Sequence, residues 1–310
     1  MTPIVWPEGK RFAFTVFDDT DAATVEKLRP VYDLLAGLGF RTTKTVWPLP
    51  PTQPPEVVGG ATCADPDYLA WAQSLQQQGF EIAWHNATCH SSTREQTLRG
   101  LDTFARLFGG PPRTMATHTT CREALYWGPG RLSGVRRWLY LLLTGFRHAR
   151  RYRGHVPGDP YFWGDVCRDQ LSYVRNFVFP GINTLAACPW MPYYDPDRPY
   201  VAAWFAASEG AHVDSFNALL HEAHQDRLEA EGGACIVYTH LAKGFAAQGC
   251  VHPRFRELME RLSRKPGWFV PVAVLLDYLR QQRGLHTLTP AERSHLEWRW
   301  LRHKLRVGTT

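Results

Sequence analysis

The first 120 residues alternate between short apolar segments and amphipathic ones, and this alternation limits the fold more than any other feature of the sequence. Residues 11–17, 40–46, 80–84 and 114–118 have the length and composition of buried strands. The segments between them carry apolar residues at a helical period. Strands and helices in alternation predict an α/β protein with parallel strands and outer helices.

Capping residues predict where several helices begin. Asp21 is suited to cap the first helix, and Ser92 and Glu95 have the spacing of a capping box. Near the other end of the chain, residues 234–238 predict a buried strand, and residues 290–306 predict a basic helix.

Basic residues are concentrated in one segment of the chain. Between Glu123 and Asp159 there are seven arginines and no acidic residue, and without these arginines the net charge of +6 would be −1. We expect this insertion, at about residues 129–158, to pack on the rest of the fold. The alternatives are a lid over an acidic or phosphate-bearing substrate and peripheral contact of residues 131–153 with an anionic membrane. No nucleic-acid partner is expected, because no nucleic-acid-binding signature accompanies the charge.

Cysteine usage and the N-terminus bear on the compartment. The seven cysteines are scattered without a CxxC pair, which predicts reduced, mostly buried thiols. No basic stretch followed by an apolar run begins the chain, so no signal peptide is predicted. The longest apolar run, residues 138–146, is far shorter than the ~20 residues that span a bilayer. We therefore expect a cytoplasmic protein, membrane-peripheral if the basic segment contacts lipid.

Four polar residues stand at the carboxyl ends of predicted strands: Asp18, Asp19, His85 and His118. The carboxyl ends of parallel strands gather on one side of the fold, where active sites form. Adjacent carboxylates repel each other, and a divalent cation would compensate them. The alternative is that these acids only favour the N-terminus of the following helix. Since imidazole and carboxylate together are common zinc ligands, the pattern indicates a metal site.

Three motifs resemble those of the polysaccharide deacetylase (NodB-homology) family. They are Thr15-Val16-Phe17-Asp18-Asp19, Glu81-Ile82-Ala83-Trp84-His85 and Tyr238-Thr239-His240. The resemblance covers most of residues 10–283. It implies a distorted (β/α) barrel of about seven parallel strands over residues 1–285, with residues 286–310 as an additional C-terminal helix.

The resemblance also implies roles for individual residues. Asp18 would be the general base, Asp19 and His85 would be metal ligands, and His240 would be the general acid. Such a site holds one divalent ion, which we expect to be zinc.

The third metal ligand is less closely defined. The family's second motif places two histidines four residues apart, whereas His90 lies five residues after His85 and Cys89 takes the usual place. We predict His90 as the ligand, with Cys89 and His118 as alternatives.

The remaining polar residues near these motifs could contact substrate. The predicted substrate-binding residues are His118, Trp163, Asp165, Arg175 and Lys243. For Trp163, Asp165 and Arg175 the alternative is a structural role, and for Lys243 it is an exposed loop lysine.

The predicted function is that of a metal-dependent hydrolase that removes an N-acetyl group from an amino sugar or a sugar-containing precursor. An alternative is a catalytically silent barrel that binds carbohydrate or lipid headgroups. A glycoside hydrolase is a third hypothesis, but it needs two carboxylates on opposite sides of the scissile bond, and Asp18 and Asp19 are neighbours. The sequence leaves the substrate and the oligomeric state open.

Overall fold

The computed structural model of the protein describes residues 4–307. Twelve strands lie in that range: β1 (Phe12–Asp18), β2 (Thr43–Val46), β3 (Glu81–Trp84), β4 (Thr114–Met115), β5 (Tyr173–Phe179), β6 (Tyr193–Tyr194), β7 (Trp204–Glu209), β8 (Ala234–Thr239), β9 (Ala246–Ala247), β10 (Cys250–Val251), β11 (Gly267–Trp268) and β12 (His286–Thr287).

The same range contains the following α-helices: α1 (Val25–Gly37), α2 (Pro66–Gln77), α3 (Arg94–Phe108), α4 (Gly134–Leu143), α5 (Gly164–Gln170), α6 (Thr184–Ala187), α7 (Val213–Leu219), α8 (Glu222–Ala230), α9 (Pro253–Ser263), α10 (Val272–Arg283) and α11 (Pro290–Val307). Two short 3-10 helices lie at Pro7–Gly9 and Gly128–Arg131.

Seven strands close into a barrel in the order β1-β2-β3-β4-β5-β7-β8, with β8 returning to β1. Every neighbouring pair in this ring is parallel. The ring is irregular, because β11 pairs with the start of β1 while β2 pairs with its end. Outside the ring, β6 lies antiparallel to β7 and pairs with β12. The predicted distorted barrel of parallel strands with outer helices is confirmed.

Burial explains why β1 reads as a continuous apolar run. All seven of its residues are buried, since one face lines the barrel interior and the other lies under the helices. Strand β7 was not predicted from the sequence, although it completes the ring between β5 and β8.

Two predicted helix caps differ from those in the structure. The cap of α1 is Thr24, whose hydroxyl accepts a hydrogen bond from the Lys27 amide, so Asp21 is free for another role. The capping box of α3 is formed by Thr93 and Gln96, one residue later than predicted. Thr24 is the better cap for a local reason: it directly precedes the first helical residue.

The basic insertion and the C-terminal helix pack on each other. The rings of Tyr140 in α4 and Trp300 in α11 lie 5.8 Å apart. Glu297 of α11 is fully buried and accepts hydrogen bonds from Ser133, Arg136 and Arg198. A buried carboxylate is stable when it is paired in this way, so the contact fixes α11 against the barrel.

All seven cysteines are free thiols, and six of them are buried. Among the described helices, none has the length and apolar character needed to cross a bilayer.

Candidate metal centre and active site

The carboxyl ends of four barrel strands meet at one mouth of the barrel. Asp21 follows β1, His85 follows β3, His118 follows β4 and His240 follows β8. Since these strands are parallel, the loops after them lie on the same side. The four side chains come together there and are almost completely buried.

Asp21 lies at the centre of this group. Its Oδ1 is 3.3 Å from Nε2 of His85 and 3.0 Å from Nδ1 of His118. Its Oδ2 is 3.3 Å from Nε2 of His240 and 3.4 Å from Nζ of Lys243. Burial alone would raise the pKa of Asp21, but hydrogen bonds with the three imidazoles hold it far below its usual value. Asp21 is therefore an ionised carboxylate surrounded by side-chain nitrogen atoms.

A tight turn places Asp21 in this position. Ala22 has a positive φ of 58°, and its amide donates a hydrogen bond to the carbonyl of Gly59. The next residue, Gly60, packs so closely that a Cβ there would lie 2.8 Å from the Ala23 nitrogen. The turn is therefore held by backbone contacts, and it points Asp21 away from α1.

Asp21, His85 and His118 have the geometry of a metal-ligand group. One ligand atom from each lies within 4.8 Å of the others, and all three residues are buried. One carboxylate and two imidazoles are a donor set typical of zinc and similar divalent ions. In addition, Nδ1 of His85 and Nε2 of His118 have no hydrogen-bond partner among the described residues. These are the ring nitrogens opposite the ones that face Asp21, so the candidate ligand atoms are Nε2 of His85 and Nδ1 of His118.

The indole of Trp47 supports both histidines. Its ring centroid lies 5.8 Å from that of His85 and 5.3 Å from that of His118, the second contact being edge-on. Burial lowers the pKa of His85 even though Asp19 and Asp21 act to raise it.

Asp19 lies in the same cavity and is held by Arg175. The guanidinium donates two hydrogen bonds, of 2.9 and 2.7 Å, to the two carboxylate oxygens. Burial would raise the pKa of Asp19, but Arg175 and the nearby imidazoles lower it below its usual value. Arg175 in turn stacks over the ring of Tyr238 at 4.3 Å. Asp19 is thus a fixed, ionised carboxylate beside the metal-ligand group.

Asp18 points away from the cavity. Its carboxylate lies 3.0 Å from Nζ of Lys44 and accepts hydrogen bonds from the Tyr32 hydroxyl and the Leu241 amide. Asp18 and Lys44 are both fully buried. This pair joins β1, β2 and α1, which is a structural arrangement.

His240 presents one ring nitrogen to the cavity. Nδ1 is engaged by the carbonyl of Ala211 at 2.8 Å, so Nε2 is the atom that faces Asp21. Lys243, three residues further on, reaches Asp21 from the edge of the cavity.

Three predicted site residues lie elsewhere. His90 is buried, but Nε2 accepts a hydrogen bond from the Thr52 amide and the ring lines a different, small cavity. Trp163 is buried and donates to the carbonyl of Glu123. Asp165 forms an ion pair with Arg94 near the surface. His90 was predicted as the third metal ligand. The structure instead places His118 beside Asp21 and His85.

The cavity has a volume of about 300 Å³ and is closed on one side by elements outside the barrel. Arg131 comes from the start of the basic insertion and Trp127 from the loop just before it, while Trp300 and Lys304 come from α11. Glu209, at the end of β7, accepts hydrogen bonds from His303 and Lys304 and so joins α11 to the cavity rim. Asp21, Arg131 and Glu209 were not predicted from the sequence as residues of this site.

Comparisons with known proteins give matches at the level of structure only. No family model matches the sequence, and no curated protein matches it. A proposed polysaccharide deacetylase from Mycobacterium smegmatis is similar in structure, with a TM-score of 0.52 and 14% identity over 93% of this chain and 97% of that chain. Puue allantoinase has a TM-score of 0.49 and 12% identity over 90% and 93% of the two chains.

A further proposed polysaccharide deacetylase, from Pseudomonas aeruginosa PAO1, has a TM-score of 0.48 and 12% identity, with 91% of this chain and 95% of that chain covered. At these identities the likeness concerns the fold. The chain therefore has the (β/α) barrel of the polysaccharide deacetylases, as its first and second motifs predicted.

Proposed function

We propose that the protein is a metal-dependent hydrolase that removes an N-acyl group, such as acetyl, from an amino sugar or a glycoconjugate. The observation that carries this proposal is the buried group of Asp21, His85 and His118 at the mouth of the barrel. A second carboxylate, Asp19, and a further imidazole, His240, line the same cavity. The deacetylases of the same fold support the choice of reaction.

In this proposal Asp21, His85 and His118 hold the divalent ion, for which zinc is the first choice. When bound, such an ion polarises an amide carbonyl and lowers the pKa of water. This ligand set differs from the one predicted from the sequence, which was Asp19, His85 and His90. The reason is that Asp19 is engaged by Arg175 and His90 lies outside the cavity.

Asp19 and His240 would divide the proton transfers. Asp19 is ionised, fixed by Arg175 and exposed to the cavity, so it is placed to accept a proton from water. In this scheme the proton is carried on Nε2 of His240, the ring nitrogen that faces the cavity and lies 3.3 Å from the Asp21 carboxylate. From that atom the proton would pass to the leaving amine. Asp18 is buried against Lys44 and has no part in this scheme.

Metal analysis of purified variants tests the ligand set. We expect about one zinc ion per wild-type chain, and loss of the ion from Asp21→Ala, His85→Ala and His118→Ala. His90→Gln is the matched control, since it is buried, lies five residues after His85 and keeps a hydrogen-bond acceptor for Thr52. Metal loss from His90→Gln with retention by His118→Ala would contradict the assignment.

Acetate release from a panel of N-acetylated amino sugars and lipid-linked sugar precursors tests the reaction. The zinc-loaded wild type should release acetate, and Asp19→Asn should not. A protein that binds zinc and sugar but releases no acetate from any substrate would favour a silent carbohydrate-binding barrel.

A further inference from the structure

The cavity contains one buried cation that no carboxylate of the described residues neutralises. Four arginine and lysine side chains line it among the described residues, and three are paired: Arg175 with Asp19, Lys243 with Asp21 and Lys304 with Glu209. The fourth is Arg131, which is only 4% exposed. Within the described part of the chain its guanidinium makes no ion pair or hydrogen bond, and Nε is a buried atom without a partner.

Aromatic rings hold Arg131 in place. Its guanidinium carbon lies 3.4 Å from the ring centroid of Trp127 and 5.3 Å from that of Trp300. Such stacking positions a guanidinium but leaves its in-plane N–H donors unused. Burial lowers the pKa of Arg131 to about 10, so the group is still charged at neutral pH.

A buried, unpaired charge is costly unless a partner compensates it. An arginine fork is also suited to the planar or tetrahedral oxygens of a carboxylate or phosphate. We infer that Arg131 binds an anionic group of the substrate, so that the proposed hydrolase acts on an acylated amino sugar that carries a phosphate or a carboxylate. The reaction named in this inference rests on the proposed function, whereas the binding of an anionic group by Arg131 does not.

Calorimetric titration with N-acetylglucosamine 1-phosphate and with neutral N-acetylglucosamine tests the inference without turnover. The phosphorylated sugar should bind wild type at least tenfold more tightly than the neutral sugar, the order of one charge-assisted pair. Arg131→Met should lose this preference, and Arg131→Lys should keep part of it. Arg29→Met, which changes an exposed arginine on α1 outside the cavity, should bind like wild type. A carboxylate-bearing sugar in a third titration identifies which anion is preferred.

Thermal unfolding separates a binding role from a structural one. Without ligand, Arg131→Met should unfold at the wild-type temperature or above it, because a buried charge is removed and the apolar stacking is kept. A marked loss of stability together with an unchanged preference for the phosphorylated sugar would make Arg131 a structural residue. Failure to release acetate would affect the proposed reaction alone, since these measurements need no turnover.

A second inference concerns the outer surface of the basic insertion. Five large apolar side chains there are between 46% and 64% exposed. They form the α4 patch, which consists of Val135, Trp138, Leu142, Leu143 and Phe146. The first three have helical spacing and lie on one face of α4, while Tyr140 and Leu141 are buried on the other face.

An arginine-lined groove adjoins the α4 patch at Phe146. Its cationic side chains are Arg122, Arg147, Arg150, Arg151 and Arg153, and its volume is about 620 Å³. Arg151 pairs with Glu56 and Arg153 with Asp159, whereas Arg147 and Arg150 have no acidic partner among the described residues. Apolar side chains beside free cations match the interface of a bilayer that contains anionic lipid.

We also infer that the α4 patch and the arginine groove dock on such a bilayer. Nucleic acid would not use the apolar side chains, and two copies of the chain would bring their arginines together and repel each other. The docked insertion also supplies Arg131 to the cavity.

Co-sedimentation with vesicles tests the docking surface. The protein should sediment with phosphatidylcholine vesicles that contain phosphatidylglycerol, and much less with phosphatidylcholine alone or in high salt. The double variants Trp138→Ser/Phe146→Ser and Arg147→Gln/Arg150→Gln should each weaken binding on the order of tenfold. Val274→Ser and Arg29→Gln, exposed residues on α10 and α1, serve as matched controls.

Equal binding to neutral and anionic vesicles would overturn the inference, as would full binding by both double variants. A dimer in solution that the Trp138→Ser/Phe146→Ser variant converts to a monomer would assign the α4 patch to a second copy of the chain instead.

Discussion

At the scale of single residues, Asp18 and Asp19 are neighbours with opposite environments. Successive side chains at a strand end point to opposite faces. Asp18 therefore meets Tyr32 of α1 and Lys44 of β2, whereas Asp19 meets Arg175 and faces the cavity. A motif of two adjacent acids thus contains one residue in a structural ion pair and one residue that lines the cavity.

This difference predicts different effects of the same substitution on catalysis at the two positions. Asp19→Asn should lower kcat at least a hundredfold, the range of general-base catalysis, while the protein keeps its zinc. It should also lose some stability, because Arg175 is buried and loses its counter-charge. Asp18→Asn should leave the cavity intact but destabilise the protein by several kcal/mol, because Lys44 remains buried without its counter-charge. Urea unfolding and acetate release check both expectations. A stable but inactive Asp18→Asn variant would indicate that Asp18, and not Asp19, is the general base.

Glu123 gives a prediction for pH. It is buried, and burial raises the pKa of its carboxyl to about 7 although hydrogen bonds from Ser92 and Asn86 act to lower it. The folded protein thus holds a proton on Glu123 between about pH 4.5 and 7, where the unfolded chain does not. This group's contribution to stability should therefore fall as the pH rises through that window, by roughly 3 kcal/mol in all.

Urea unfolding of wild type and Glu123→Gln from pH 4.5 to 8 measures this contribution. The wild type should lose stability relative to the variant as the pH rises, because glutamine cannot ionise. Parallel curves for the two proteins would mean that Glu123 is ionised in the folded state throughout.

Strand ends made part of the site predictable from the sequence. His85, His118 and Asp19 follow buried apolar runs, and parallel strands bring such positions together. Asp21 was assigned to a helix cap, because nothing local distinguishes it from Thr24 until the turn at Ala22 is known. Arg131 lies in a segment with several arginines, and the sequence does not show which of them is buried.

At the scale of elements, α11 completes the cavity wall. It supplies Trp300 and Lys304, and Glu297 ties it to the basic insertion through Arg136 and to the loop before β7 through Arg198. The periodicity of the sequence predicted the helix but not this position. Arg136 and Glu297 are 161 residues apart in the sequence, so neither segment carries a local signal of their contact.

Removal of Glu297 tests whether α11 shapes the cavity. Glu297→Ala leaves Arg136 without a counter-charge and leaves the buried Arg198 with Asp195 as its one remaining acidic partner among the described residues. We expect a loss of about 3–5 kcal/mol in the free energy of unfolding, with a higher KM because Trp300 and Lys304 shift. Glu257→Ala, which removes an exposed carboxylate, should change neither quantity measurably. Unchanged stability in Glu297→Ala would show that α11 is held by apolar packing alone.

At the scale of the whole molecule, the site depends on closure of the barrel. Its residues follow β1, β3, β4 and β8, and β8 pairs with β1 over six residues to bring the first and last of these strands together. The missed strand, β7, is what allows β8 to return to β1. Local apolar runs predicted most of the ring, but pairing between distant strands is not encoded in any one segment.

Because the ligands come from distant parts of the chain, zinc should bind the folded protein and not the unfolded one. At a free zinc concentration one hundred times Kd, linkage gives about 2.7 kcal/mol of stabilisation, which corresponds to a rise of roughly 5 °C in Tm for a chain of this size. Magnesium should give little shift, since it prefers oxygen ligands in octahedral geometry. His118→Gln should lose the zinc-dependent shift, and His90→Gln should keep it. An equal rise in Tm in both variants would place the bound ion outside the cavity, whatever its effect on activity.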